Sequence, residues 1–194
     1  MIYIFIIALS ALIICTAVTL SYGTNFFITL GFTALAVGLV VAVDGITAAI
    51  CRALPSACVN EKHKIFSVGK KEKNFYEKIG IRKWKDKVPE LGHLTGFRKN
   101  RINEPPNLQY VERFLLESRY GEIGHMVSCF TSFLILLFFW LTETWLAISI
   151  PVATVSLLLN LPSLFILRYN SYKLEILRKS LLKKQNKKQQ QRVA

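Results

Sequence analysis

Apolar residues run from Ile2 to Leu20 with only Ser10, Thr16 and Thr19 among them. As a helix that run is long enough to cross about 30 Å of hydrocarbon. Ser21, Tyr22, Gly23, Thr24 and Asn25 form a short uncharged turn, and a second apolar run follows from Phe26 to Ile50, interrupted by Asp44 and Gly45. Arg52 and Pro55 mark its exit. A third run spans Gly121 to Leu141, and a fourth spans Ala147 to Leu167 with Pro151, Asn160 and Pro162 inside it. The polar break Thr142, Glu143, Thr144 separates them, flanked by Trp140 and Trp145 as interfacial anchors would be. The pattern predicts an all-α integral membrane protein with about four transmembrane helices. The first run is read as a retained span and not a cleaved leader, because no Lys or Arg precedes it.

The stretch between the second and third runs is of another kind. From Lys70 to Val88 it interleaves cations with Phe75, Tyr76, Ile79, Ile81, Trp84 and Val88. This predicts short helices lying in the headgroup region against anionic membrane lipids, with Gly80 as the joint. The competing reading is a solvated, charged cover over the membrane core. Basic and aromatic residues also mark nucleic-acid binders, but tethering between apolar spans argues against that, so no nucleic-acid partner is expected. Pro89 ends the piece, Gly92 to Pro106 reads as a loop, and Asn107 is placed to cap the next helix. Four segments result: residues 1–51 an N-terminal hairpin, 52–119 a basic segment, 120–170 a C-terminal hairpin and 171–194 a basic tail. The tail is amphipathic and increasingly basic, and its end, from Leu181 to Ala194, reads as a frayed polar extension.

Charge sharpens this picture. The 194 residues are 52% hydrophobic and yet carry a formal charge of +13, because the charges are segregated. Sixteen of the 25 Lys and Arg lie between Arg52 and Arg119 and the other nine from Arg168 onward, leaving only Asp44, Glu122 and Glu143 elsewhere among the charged residues. The excess of cations puts both termini and the central segment on the cytoplasmic side of a cell membrane. Cys15, Cys51, Cys58 and Cys129 have no metal-binding spacing and read as reduced or buried thiols.

Candidate chemistry sits where the basic segment enters the third span. At about 100° per residue, Glu117, Ser118, Gly121, Glu122, His125, Ser128 and Cys129 share one side of the Asn107–Phe130 helix. Leu115, Leu116, Tyr120, Ile123, Met126, Val127 and Phe130 take the other. Ionisable groups at bilayer depth are costly, which makes them functional candidates. Asp44 lies about eight residues, or ~12 Å, inside the same edge, and Asn160 about as far beyond Arg168. The expectation is a polar pocket at the inner leaflet, roofed by the central segment. Structural readings compete with each candidate: Asp44 as a helix–helix hydrogen bonder, Arg168 as one more inner-face cation, Pro162 as a kink. Glu143 reads as an exposed loop acid.

Two chemistries suit Glu122 and His125. His125 can act as a general base on a substrate hydroxyl, with Glu122 or Glu117 orienting it. Alternatively the pair can ligate metal, but that wants a second Glu-x-x-His pair, absent here, so metal ranks second.

Four blocks then carry a resemblance: Arg52 to Pro55; Arg82, Lys83, Trp84 and Lys85; Glu117, Glu122 and His125; and Asn160, Pro162, Arg168, Tyr169 and Asn170. Over about residues 50 to 180 the chain resembles the glycosyl-4,4'-diaponeurosporenoate acyltransferase family of bacterial carotenoid synthesis. Ile2 to about Val43 falls outside the likeness, and Met126 and Ser171 stand where the family has tryptophan and arginine. The resemblance implies fatty-acyl transfer from an acyl-CoA or acyl-carrier-protein donor to a sugar hydroxyl of a membrane-embedded glycosylated lipid, with no cofactor. His125, Glu122 and Glu117 are then the expected catalytic residues. Arg168, Tyr169, Asn170, Asn160, Trp84, Lys83, Arg82 and Asp44 are the expected substrate-binding ones, with Arg168 and Arg82 or Lys83 toward the donor's anionic part. Two rival readings stay open: a metal- or cofactor-dependent lipid enzyme, and a non-enzymatic scaffold binding anionic lipid or a protein.

Overall fold

The computed structural model describes residues 2–59, 63–88 and 107–193, and these form helices, with no strand among them. In chain order they are α1 (Ile2–Tyr22), α2 (Phe26–Ala53), α3 (Lys70–Lys78), α4 (Ile81–Trp84), α5 (Leu108–Thr131) and α6 (Trp145–Val193), with short 3-10 turns between. Four stretches are long and apolar enough to cross a membrane: Tyr3–Tyr22, Phe26–Ala53, Leu108–Leu141 and Trp145–Gln191. The expected loop from Gly92 to Pro106, and Pro89 before it, lie outside the described residues. The chain forms two compact units, Met1–Ala53 with Ile123–Pro162, and Leu54–Glu122 with Ser163–Ala194.

In the first unit, α1 and α2 form a hairpin through Gly23, whose φ of +63° is open to glycine at little cost. Asn25 caps α2, its Oδ1 accepting from the backbone N–H of Phe27 at 2.9 Å and of Ile28 at 3.3 Å. Ile14, Val18, Ala36 and Val40 of the hairpin pack with Ile135, Trp145, Ile148, Val152 and Ala153. After Thr131 the chain tightens into a 3-10 stretch, Ser132–Leu141, bent at Phe138 (φ −89°, ψ 26°). Trp145 corrects one expectation. Trp140 is 65% exposed, as an anchor would be, but Trp145 is fully buried. Its indole N–H donates to the carbonyl of Ile135 at 2.8 Å, and its ring meets Phe32 edge-on. The buried indole has found the partner its polar atom needs.

In the second unit, α3 and α4 meet at Gly80, which takes φ +70° and so forms the joint the sequence predicted. Tyr76 and Ile81 pack with Ile166 and Tyr169 of α6. Asn107 caps α5 as expected, accepting from the Tyr110 N–H at 3.2 Å. Val111, Phe114 and Leu115 of α5 pack with Leu174, and Tyr110, Leu177 and Leu181 border that cluster. The spacing of Leu174, Leu177 and Leu181 is one helical stripe. The amphipathic tail beyond the apolar span thus continues α6, and a second correction follows: the helix runs to Val193, so the exposed basic end is helical where fraying was expected.

Candidate functional site

The polar stripe of α5 is the buried one. Ser118, Glu122, Ser128 and Cys129 are 1–5% exposed, whereas Phe130 on the opposite side is 75% exposed. Glu122 and His125 of this stripe find hydrogen-bond partners inside the protein, whereas the buried Ser118 hydroxyl has none among the described residues. Those pairings fall into two clusters, one in each unit.

The first unit holds a chain of hydrogen bonds ending at a histidine. Asp44 of α2 accepts from Ser156 Oγ at 3.1 Å and Asn160 Nδ2 at 3.3 Å on one oxygen, and Ser132 Oγ lies 3.3 Å from the other. Asn160 Nδ2 also donates to the Ser156 carbonyl at 3.1 Å. The amide orientation follows, since an ionised carboxylate and a carbonyl only accept. Asn160 Oδ1 therefore faces the imidazole, 2.8 Å from His125 Nδ1. An amide oxygen cannot donate, so Nδ1 carries the proton, and in the neutral ring Nε2 holds the basic lone pair. The group at Nδ1 is thus an amide of α6; the sequence reading gave the orienting role to Glu122 or Glu117.

The second unit holds an arginine between carboxylates. Arg168 grips Glu72 with both branches of its fork, Nε to Oε1 at 2.5 Å and Nη2 to Oε2 at 2.9 Å. Its Nη1 donates to the Ile65 carbonyl at 2.7 Å and reaches Glu122 Oε2 at 3.4 Å. Glu122 accepts from Ser171 at 2.5 Å on its other oxygen. Tyr76 also donates to Glu72 at 2.6 Å. Burial works to raise the Glu72 carboxyl, but the hydrogen bonds from Arg168 and Tyr76 and the Arg168 charge outweigh it, leaving Glu72 below its ordinary value. Burial, then the bond to Glu72, pushes the Tyr76 phenol up. Arg168 was expected to meet the donor's anionic part. In the structure its fork holds α3 and the Ile65 turn on α6.

The remaining candidates are distributed around α4 and α6. Arg82 Nε donates to Tyr169 Oη at 3.0 Å, and its guanidinium pairs with Glu77. The Lys73 ammonium, then Arg82, holds the Glu77 carboxyl below its usual range. Tyr169 is fully buried, with the Lys173 ammonium 4.5 Å over its ring. Trp84 donates to the Ile79 carbonyl at 3.1 Å and packs beside Tyr76 and Ile81. Lys83 is exposed, Glu117 and Asn170 are partly buried on their helices. Among the described residues no group of three or more His, Cys, Asp or Glu side chains is arranged to hold a metal ion. Sequence reasoning missed Ser132, Ser156 and Glu72. For the serines the only signal was hydroxyls within apolar runs.

An all-helical membrane protein, with Asp44, Glu122 and His125 hydrogen-bonded to other helices, is the class these features define. The chain belongs to the glycosyl-4,4'-diaponeurosporenoate acyltransferase family, whose model matches residues 61–180, and it is therefore an acyltransferase. No curated protein and no solved structure matches it. The matched residues include Arg82 to Lys85, Glu117 to His125 and Asn160 to Asn170; Arg52 to Pro55 and all of α1 and α2, with Asp44, precede them.

Proposed function

We propose that the protein transfers a fatty acyl group from an acyl-CoA or acyl-carrier-protein thioester to a sugar hydroxyl of a membrane-embedded glycosylated lipid. Two findings support this: membership of the acyltransferase family, and the 2.8 Å contact between His125 Nδ1 and Asn160 Oδ1, which carries the reading. With Nδ1 as donor, Nε2 is the base. It takes the proton of the sugar hydroxyl as that oxygen attacks the thioester carbonyl. Collapse of the tetrahedral adduct breaks the C–S bond, and the departing thiolate takes the proton back from the imidazolium. An ester and a thiol result, with no redox change and no cofactor consumed.

In this reading the orienting role passes from Glu122 or Glu117 to Asn160. Arg168 becomes a structural clamp, and Arg82 and Lys83, the exposed residues of α4, are assigned to the donor's anionic part. The cation-rich segments at 52–119 and 168–194 support a cytoplasmic side for both termini, where such thioesters are made. The test is a mass-spectrometric comparison of lipid extracts from a null host carrying wild type, His125→Ala or nothing. A glycolipid gaining a fatty-acyl mass with wild type alone is the expected result. Equal acylation by His125→Ala would remove His125 as the base, and an unchanged lipidome with the protein in the membrane and glycolipids present would remove the reaction.

A further inference from the structure

We infer that Asp44 is a positioning residue for the transfer reaction, the anionic end of a relay that runs Asp44–Asn160–His125. The N-terminal hairpin is thereby part of the catalytic machinery and not only an anchor. The inference rests on His125 being the base, as proposed above.

A carboxamide is nearly symmetric in shape, so Asn160 could present either oxygen or nitrogen to the imidazole, and only its other contacts decide. Asp44 Oδ2 lies 3.3 Å from Asn160 Nδ2, and the Ser156 carbonyl lies 3.1 Å from the same nitrogen. Reversing the amide would set its oxygen against a carboxylate and a carbonyl at those distances, an unpaired and repulsive arrangement inside a membrane span. The carboxylate therefore dictates that oxygen faces His125 Nδ1 at 2.8 Å. That in turn fixes the proton on Nδ1 and the lone pair on Nε2. Asp44 also bears the charge that the imidazolium needs when it takes the hydroxyl proton, transmitted through one polarised amide. Its own place is held by Ser156 at 3.1 Å and Ser132 at 3.3 Å, and Ser132 is fully buried. Ser132 Oγ also lies 2.7 Å from the Ser128 carbonyl and 2.8 Å from Ser156 Oγ, so its single proton is shared among these acceptors, and the firm donors to the carboxylate are Ser156 and Asn160, both on Oδ2. All five residues belong to the first unit, and Asp44 comes from α2, which precedes the residues that the family model matches.

The test is steady-state kinetics of the full-length protein in detergent or vesicles, with a medium-chain acyl-CoA and a glycosylated lipid that wild type acylates. Asp44→Asn removes the directing charge but keeps the shape. It is expected to lower kcat by about tenfold to a hundredfold, with the acceptor KM within about twofold. The double variant Asp44→Asn with Asn160→Asp exchanges the amide and the carboxylate, conserving atoms and charge. It puts the anion directly on Nδ1 and is expected to recover kcat to within about tenfold of wild type. The exchange also supplies the measurement if Asp44→Asn alone does not fold. Unchanged kcat in Asp44→Asn, a raised KM with unchanged kcat (the substrate-binding role first expected of Asp44), or no recovery in the exchange variant would overturn the inference. His125→Ala run alongside separates the two ideas. If it is inactive while Asp44→Asn is normal, only the relay fails. If it is active, the base assignment falls and the relay with it.

Discussion

At the residue scale, the chemistry turns on three side chains from three helices, with Asn160 of α6 held between Asp44 of α2 and His125 of α5. Helical periodicity showed that Glu122 and His125 share a face of α5, because that is a property of one helix. It could not show that Nδ1 of His125 meets an amide from α6, because partners on other helices depend on packing. Asn160 and Asp44 were both candidates, but for substrate binding. The chain has three histidines, His63, His93 and His125, so the His125 ring is assignable by substitution in a nitrogen-15 spectrum. Its neutral form is expected with the proton on Nδ1, and Asn160→Leu is expected to release it to the mixture of tautomers found in free histidine. A second expectation concerns Glu72, whose carboxyl the folded state holds below its ordinary value of 4.5. A depressed carboxyl binds its proton less well folded than unfolded, so its stabilisation is complete above the unfolded value and is lost as pH falls through the folded one. Protease resistance of α3 is therefore expected to drop as pH falls below about 4.5, and Glu72→Gln is expected to show the loosened state already at neutral pH.

At the element scale, the four apolar helices were legible because some twenty consecutive apolar residues leave few alternatives. Trp145 was misread because a tryptophan beside a polar break is the usual mark of an interface. Here the bend at Phe138 and the turn at Thr142 bring the indole inward, where Ile135 offers a carbonyl. Trp145→Phe keeps an aromatic ring but leaves that carbonyl without its donor. It is expected to cost about 1–3 kcal/mol, read as a lowered melting temperature in detergent. The two glycines of α5 should behave differently under substitution. A methyl at Gly124 meets nothing within 4 Å, so Gly124→Ala is expected to gain the helix propensity, about 1 kcal/mol. A methyl at Gly121 would lie 2.9 Å from a methyl carbon of Leu167, which is buried. Overpacking there costs about 1–3 kcal/mol and cancels or exceeds the propensity gain. Gly121→Ala is expected to be neutral to destabilising in the same melting measurement, and Gly121→Leu to lose the fold.

At the scale of the whole molecule, segregation of charge from apolar runs along the chain made the membrane class plain. The length of α6 was less plain: the amphipathic stripe of Leu174, Leu177 and Leu181 packs with α5, but the polar residues after it offer no apolar pattern from which a helix to Val193 could be read. The family match covers residues 61–180 and so fixes the reaction class without reaching α2, where Asp44 lies. Everything proposed about the chemistry converges on one imidazole acting on one hydroxyl. The most direct measurement is thiol release from an acyl-CoA by the purified protein, with and without a glycosylated lipid acceptor, for wild type and His125→Gln. The account predicts release by wild type that depends on acceptor and matches the ester formed. It also predicts a loss of about a hundredfold or more in His125→Gln, the usual worth of a general base. Transfer by folded His125→Gln at the wild-type rate, or a stoichiometric burst of thiol without acceptor that leaves the acyl group on the protein, would contradict it.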